Sequence, residues 1–180
     1  MADSARIQEL RRRVQQDPAT LAFAPLAEEL RRAGQTAEAI RVCQAGLSLH
    51  PEYLSARATL GRALLEAGDL DSAFLELMTV LGSAPENLTA LRGVAEIHER
   101  RGEVDDALVK YRLALTLSGR DPELQRVVQD LERQRFEAAV NAPSSDVDPV
   151  GHERERETVR QLERFLAAVV EDRSRRSADR

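Results

Sequence analysis

The fold is decided by residues 53–85, which read YLSARATLGRALLEAGDLDSAFLELMTVLGSAP. Apolar residues recur at helical spacing on both sides of Gly68, and Pro85 closes the stretch. Glycine allows the positive φ with which many helices end, and proline disfavours the continuation of a helix. The stretch therefore predicts two helices joined by a tight turn.

This pattern occurs three times with a period of 34 residues, marked first by Gly34, Gly68 and Gly102. The other columns that keep the period are Ala39, Ala73 and Ala107; Leu26, Leu60 and Val94; Ala27, Gly61 and Ala95; and Pro51 and Pro85. Several independent columns with one period indicate an array of helical repeats. The expected helix pairs span about 20–33 with 36–49, 53–67 with 70–83, and 87–101 with 104–118. Pro25 falls inside the first helix, which either begins late or bends there.

In these columns the chain resembles the tetratricopeptide repeat, with its W-x2-L-G-x2-Y, A-x3-F and terminal proline pattern. The matching residues are Phe23, Leu26, Ala27, Leu30, Gly34, Ala39, Cys43 and Pro51; Arg57, Leu60, Gly61, Leu64, Gly68, Ala73, Leu77 and Pro85; and Leu91, Val94, Ala95, His98, Gly102, Ala107 and Tyr111. Arg57 and His98 depart from the pattern, which prefers a large aromatic or apolar residue there. The resemblance implies an all-α fold, a right-handed α-solenoid of antiparallel helix pairs.

The ends of the array carry segments that we interpret as caps. Ile7, Leu10 and Val14 form one apolar stripe, and Asp121 with Pro122 makes a good helix start. The predicted organisation is an N-terminal capping helix in 1–18, repeats in 19–52, 53–86 and 87–120, a C-terminal capping helix in 121–140, a flexible linker in 141–154, an amphipathic docking helix in 155–172 and a disordered tail in 173–180.

The predicted docking helix has an apolar face that needs a partner. Its apolar stripe consists of Val159, Leu162, Phe165, Leu166, Val169 and Val170. Three arrangements remain open at this point: a cap that completes the stack, a plug in the groove of the same chain, or docking onto another chain. The last of these includes a homodimer formed through the C-terminal helix.

Composition excludes several classes of protein. The net charge of -5 gives no reason to expect a nucleic-acid partner, and no apolar stretch approaches the roughly 18 residues needed for direct membrane insertion. The N-terminus lacks an apolar signal core, and Cys43 is the single cysteine, so no intramolecular disulfide is expected. We expect a cytoplasmic, bacterial protein.

No set of residues predicts catalysis, a cofactor or a metal. Cys43 stands in a packing column, so we interpret it as a small buried residue rather than a nucleophile. The histidines His50, His98 and His152 show no helical metal-site spacing. Acidic residues such as Asp69 and Asp105 lie at the starts of second helices, where they favour the helix dipole.

The resemblance implies a concave groove lined by the first helix of each repeat. Its expected lining is Ala24, Glu28, Ser55, Ala58, Thr59, Arg62, Thr89, Arg92 and Glu96. The Lys–Asn–Arg clamp with which some relatives bind the C-terminus of heat-shock chaperones is absent, since Ala24, Glu28, Thr59, Thr89 and Gly93 replace it. The groove then presents a floor of small side chains, with Arg62 and Arg92 expected to be available for acidic groups of a ligand.

These observations predict a non-catalytic protein–protein interaction module, an adaptor or assembly scaffold that binds a peptide or helix in the concave groove. The alternative is a dedicated chaperone for secreted or pilus-assembly subunits, which the repeat number and chain length also fit. Pull-down and mass spectrometry separate the two, because a chaperone retains one dominant substrate and an adaptor retains a stable assembly.

Overall fold

The computed structural model describes residues 4–119 and 121–141. This part of the chain contains eight α-helices and no strand. The helices are α1 (Ala5–Gln16), α2 (Phe23–Arg32), α3 (Thr36–Leu49), α4 (Leu54–Ala67), α5 (Leu70–Ser83), α6 (Leu88–Arg100), α7 (Val104–Ser118) and α8 (Pro122–Asn141). None of them is both long and apolar enough to cross a membrane. Residues 142–180, with nearly all of the predicted linker and the whole of the predicted docking helix and tail, lie outside the described residues.

The three repeat glycines end the first helix of each pair in the left-handed region. Gly34, Gly68 and Gly102 have φ values of 74°, 86° and 77°. After each one the chain closes back on the helix, as where the Asp69 N–H donates to the Leu64 carbonyl at 3.0 Å. This six-residue closure satisfies a carbonyl that the helix end would otherwise leave unpaired. The turns are therefore short enough to make the paired helices antiparallel.

Pro25 lies in the first turn of α2, which decides between the two sequence-based alternatives for that helix. The helix begins at Phe23, so the proline replaces a backbone N–H that has no partner within the helix. As a consequence α2 has 10 residues, whereas α4, the corresponding helix of the next repeat, has 14. Residues 17–22 form turns instead of extending the helix.

The helices stack in chain order. Each pair packs together, α2 with α3, α4 with α5, and α6 with α7, and successive pairs join through α3 with α4 and α5 with α6. The first helices also contact one another, α2 with α4 and α4 with α6. The architecture is thus the all-α solenoid of helix pairs predicted from the repeat period. The helices as far as Phe136 form one compact unit.

Small residues in the repeat columns let backbones approach closely around one leucine. A β-carbon built on Gly61 of α4 would lie 2.5 Å from Leu77 Cγ, and one on Gly93 of α6 would lie 2.6 Å from Leu77 Cδ1. Leu77 of α5 therefore occupies space left by two glycines on two other helices, and it is fully buried. It couples the second repeat to the third through packing.

Both ends of the stack are covered by helices. Ile7 and Leu10 of α1 pack in a cluster with Leu26 and Leu30 of α2. At the other end Leu124, Val128 and Leu131 of α8 pack with residues of α6 and α7. Beyond this contact every residue from 133 to 141 is exposed. Gln125, Gln129 and Glu132 stand one period after Leu91, Ala95 and His98, so α8 presents polar groups where a further repeat would need packing positions.

Candidate partner-binding groove

An open groove of about 860 Å³ runs along the first helices of the three repeats. Its lining comprises Ala24, Pro25, Glu28, Arg31, Arg32, Tyr53, Ser55, Ala58, Thr59, Arg62, Asn87, Thr89 and Arg92. Eight of the nine residues expected at this surface from the sequence belong to that lining. The ninth, Glu96, is outside it but is hydrogen-bonded to one of its members.

The floor of the groove consists of small side chains. Ala24, Ala58 and Thr59 are buried, and Ser55 and Thr89 are exposed at the starts of α4 and α6. None of these five side chains extends more than two heavy atoms beyond its Cβ, so a ligand can approach the helix backbones closely. The hydroxyl groups of Ser55 and Thr89 offer donors and acceptors to a polypeptide main chain.

The wall formed by the first repeat is a network of charges. Glu28 accepts hydrogen bonds from Arg31 at 2.9 Å and from Arg32 at 2.8 Å. The hydrogen bond from Arg31 is the main reason why the pKa of Glu28 lies below its ordinary value. Arg31 also pairs with Glu66 of the second repeat, and its own pKa is raised, chiefly by Glu28. This wall is ionised at neutral pH and bridges two repeats.

The arginines of the second and third repeats, which the sequence analysis expects to be available for a ligand, are also paired within the chain. Arg62 Nη1 donates to Glu96 Oε2 at 2.7 Å. Arg92 donates to Asp121 at 3.3 Å and to Glu123 at 3.0 Å. For Arg62 the reason is the repeat itself, because Glu96 stands one period later on the neighbouring first helix. Arg92 instead meets two acidic residues at the start of α8.

Glu96 is shared between two cations. Its second oxygen accepts a hydrogen bond from Arg100 at 2.6 Å, in addition to the bond from Arg62. Glu28, Arg62 and Glu96 occupy one repeat position and alternate in sign. The alternation alone does not specify the pairing, because Glu28 accepts hydrogen bonds from Arg31 and Arg32 of its own helix.

Other lining residues were absent from the sequence-based list. Arg31 and Arg32 follow Glu28 by one helical turn, and i,i+3 and i,i+4 neighbours share a helix face, so that spacing identifies them. Tyr53 and Asn87 immediately precede α4 and α6. Asn87 also caps α6, since its side-chain oxygen accepts a hydrogen bond from the Ala90 N–H at 2.9 Å.

The cysteine and the histidine–carboxylate cluster outside the groove are explained by packing and pairing, without a reactive or metal-binding role. Cys43 is fully buried, and burial raises the pKa of its thiol to about 12, so it is not a thiolate at neutral pH. Among the described residues, His98, Glu103 and Asp106 bring three potential metal-ligand atoms within 4.8 Å of one another. Both carboxylates are exposed, and His98 Nδ1 lies 2.5 Å from Glu103 Oε2, which by itself accounts for their proximity.

A solenoid of antiparallel helix pairs with a groove along its first helices defines a helical repeat protein of the protein-interaction class. Residues 30–81 and 76–122 each match the tetratricopeptide repeat family. The chain belongs to the tetratricopeptide repeat family, whose members are typically protein–protein interaction modules rather than catalysts.

A curated relative matches about half of the chain. BBSome complex member bbs-4 of Caenorhabditis elegans is 32% identical over 93 residues, which are 52% of this chain and 20% of bbs-4. The chain therefore spans about a fifth of that relative's length.

Solved structures share the fold at low identity. A MamA double mutant superposes with a TM-score of 0.64 at 16% identity, covering 89% of this chain and 84% of MamA. TTC0263, a tetratricopeptide repeat protein of Thermus thermophilus, superposes with a TM-score of 0.59 at 20% identity, covering 69% of this chain and 70% of TTC0263. The first repeat domain of Spaghetti (RPAP3) was solved with the HSP90 peptide SRMEEVD. It superposes with a TM-score of 0.61 at 13% identity, covering 66% of this chain and 94% of the Spaghetti domain.

Proposed function

We propose that this chain is a non-catalytic adaptor or assembly scaffold that binds an extended segment or a helix of another protein in the groove along α2, α4 and α6. The observation that carries the proposal is the meeting of eight expected positions from three repeats in one groove with a floor of small residues. The Spaghetti domain holds a peptide with this fold, and bbs-4 is a member of a complex, and both support a binding and assembly role.

The lining suits a polypeptide better than a small molecule. Small-molecule sites are mostly apolar and bury nearly all of their ligand. This groove instead carries charged walls and exposed hydroxyl groups over three repeats, from Glu28 to Thr89. Main-chain amides and polar side chains of a peptide match such a surface, and the small floor residues allow them to approach.

Filling the groove tests the proposal. Thr89→Trp places a large ring on an exposed floor position, whereas Thr79→Trp makes the same change at an exposed position of α5 outside the groove. Each tagged variant is used in a pull-down from a lysate of the source cells, with mass spectrometry of the retained proteins. We expect the partner retained by the unsubstituted chain to be lost with Thr89→Trp and kept with Thr79→Trp. Equal retention by both variants contradicts groove binding.

Because Glu96 binds two arginines, a binding partner can take its place on Arg62. A carboxylate of the partner can replace Glu96 on Arg62, because Glu96 then keeps its hydrogen bond to Arg100. No buried or isolated charge is left by this exchange, so it costs less than breaking a simple pair. Arg62 is thus the groove cation that we expect an acidic side chain of the partner to engage.

Two substitutions that break the same ion pair should change affinity in opposite directions. Arg62→Gln removes the cation and should weaken binding of the partner about tenfold, a loss of one charge-assisted hydrogen bond. Glu96→Gln removes the internal competitor and should strengthen binding. Titration of the isolated partner followed by calorimetry measures both. Because each variant loses the Arg62–Glu96 pair, a shared decrease in affinity would mean that the pair serves stability alone.

The proteins retained in the pull-down also distinguish the adaptor from the chaperone alternative. An adaptor holds a stable assembly of several proteins, whereas a chaperone for secreted or pilus-assembly subunits holds one dominant substrate. The bacterial, cytoplasmic setting expected from the sequence belongs to this proposal, and the single, buried cysteine agrees with a reducing compartment. Fractionation of source cells checks it.

A further inference from the structure

A second, mainly apolar pocket lies away from the groove, between α1 and α3 at the first repeat. Its volume is about 290 Å³. The lining consists of Val14, Pro18, Phe23, Glu38, Arg41, Val42, Ala45, Gly46 and Leu49. The pocket adjoins Leu21, which is 50% exposed, and Leu49 itself is 53% exposed. Large apolar groups thus remain in water around a concave apolar site.

The repeat architecture does not require this pocket. One period later, Phe23 and Val42 are replaced by Arg57 and Glu76, which form an ion pair at 2.7 Å. At the other equivalent positions of that repeat, Thr79, Val80 and Ser83 replace Ala45, Gly46 and Leu49, and Ser72 and Leu75 replace Glu38 and Arg41. The first repeat is therefore apolar at Phe23, Val42 and Leu49, where the second repeat carries the paired Arg57 and Glu76 and the polar Ser83.

The complementary feature is an exposed aromatic side chain on α8. Phe136 is 68% exposed, on the part of the helix that extends beyond its packing against α6 and α7. A phenylalanine in this position removes substantial apolar area from water only when it meets a partner. Repeats two and three lie between α8 and the pocket in the stacking order, so Phe136 does not reach the pocket of its own chain.

We propose that Phe136 of one copy inserts into the pocket between α1 and α3 of a second copy, joining the chains head to tail. A volume of about 290 Å³ is at the lower end of small-molecule sites, and it suits one large side chain. Charge also matches. Arg41 at the pocket rim and Glu137 beside Phe136 are both exposed, and neither has an ion-pair partner among the described residues. Opposite charges at a rim fix the register of an association.

The contact is heterologous, since the surface that Phe136 offers differs from the surface that receives it. Such a contact leaves a free pocket at one end and a free phenylalanine at the other, so association continues or closes into a ring. The surface is separate from the groove of the proposed function. Self-association and partner binding are therefore distinguishable, because Thr89→Trp should affect only the second.

Complementation between two single variants tests the proposal in the full chain. Phe136→Glu removes the inserting side chain, and Leu49→Glu places a charge at the pocket. Each variant alone should sediment as a 20.0 kDa monomer at concentrations where the unsubstituted chain forms larger species. Mixed in equal amounts, they should form a one-to-one dimer and nothing larger, because only one intact pocket faces one intact Phe136.

Two matched control variants test whether the loss of association is specific to the proposed contact. Leu75→Glu changes a residue that is also 68% exposed, on α5, and should leave the association unchanged. Phe165→Glu, in the segment predicted as a docking helix, should likewise leave it unchanged. Circular dichroism verifies that every variant keeps its helicity. The proposal is overturned if the unsubstituted chain stays monomeric at all concentrations, if either control abolishes association, or if the mixed variants fail to form a dimer.

Discussion

At the scale of single residues, the tightest constraint lies between Gly46 and Phe23. A β-carbon on Gly46 would stand 2.0 Å from Phe23 Cδ2, far inside van der Waals contact. The ring is stacked on His50 with centroids 6.0 Å apart and meets the Tyr53 ring edge-on at 5.8 Å, so moving it away would break both contacts. Gly46 therefore lacks a side chain for reasons of packing, even though it lies in the interior of a helix.

We expect Gly46→Ala to destabilise the fold and Gly82→Ala to leave it unchanged or stabilise it. The first variant overpacks the core around Phe23 at a cost of about 1–3 kcal/mol in the free energy of unfolding. The second meets nothing within 4 Å, so only the higher helix propensity of alanine acts, by up to about 1 kcal/mol. Urea unfolding followed by circular dichroism measures both. Similar effects at the two sites would contradict the packing seen at Phe23.

At the scale of helices, the starts differ in how they are capped. Asp69 accepts a hydrogen bond from the Ser72 N–H at 3.0 Å at the start of α5, and Asn87 does the same for Ala90 at α6. The hydrogen bonds from Ser72 hold the pKa of Asp69 below its ordinary value. A carboxyl whose pKa is lower in the folded state stabilises that state while it is ionised.

Asp69→Asn should flatten part of the acid dependence of stability. The stabilisation from Asp69 is fully present above its unfolded pKa of about 3.9 and disappears as the pH falls through the lower folded pKa. Asparagine caps a helix about as well as aspartate but does not titrate here. The melting temperatures of the two proteins should change in parallel with pH above about pH 5. Below about pH 4 the melting temperature of the unsubstituted chain should fall further than that of the variant. Parallel curves throughout would exclude a contribution from this cap.

At the scale of the whole stack, stability depends on contacts between repeats. Leu77 fills the space beside Gly61 and Gly93, and ion pairs such as Arg62 with Glu96 join the same repeats. A single helix pair cannot bury its own apolar face, so neighbouring repeats stabilise one another. We expect the helices as far as Phe136 to unfold together.

Leu77→Ala should lower the free energy of unfolding by about 2–5 kcal/mol, since it leaves a cavity at the centre of the stack. Because the repeats are coupled, hydrogen exchange should rise in α2 and α7 as well as in α5. Leu75→Ala is the matched control, because Leu75 lies on the same helix but is mostly exposed. Faster exchange confined to α5 and its direct neighbours would show that the repeats open independently.

The sequence by itself determined the helices and their pairing, and the family resemblance added the positions expected to face the groove. These properties depend on local chemistry repeated at a fixed interval: Gly68 permits the turn, Pro85 interrupts the next helix, and the 34-residue period places Ala58 and Arg92 on equivalent faces. Local rules act within one helix or one turn, so they can be recognised without knowing which helices are neighbours.

Only the tertiary structure decided what the charged and apolar side chains meet. Arg62 was expected to be free for a ligand, but the neighbouring helix brings Glu96 to 2.7 Å from it. The pocket beside Phe23 depends on where α2 begins relative to α1 and α3, and the exposure of Phe136 depends on where the packing of α8 ends. Each of these depends on distances between separate helices, which packing determines and which the order of residues along one helix does not specify.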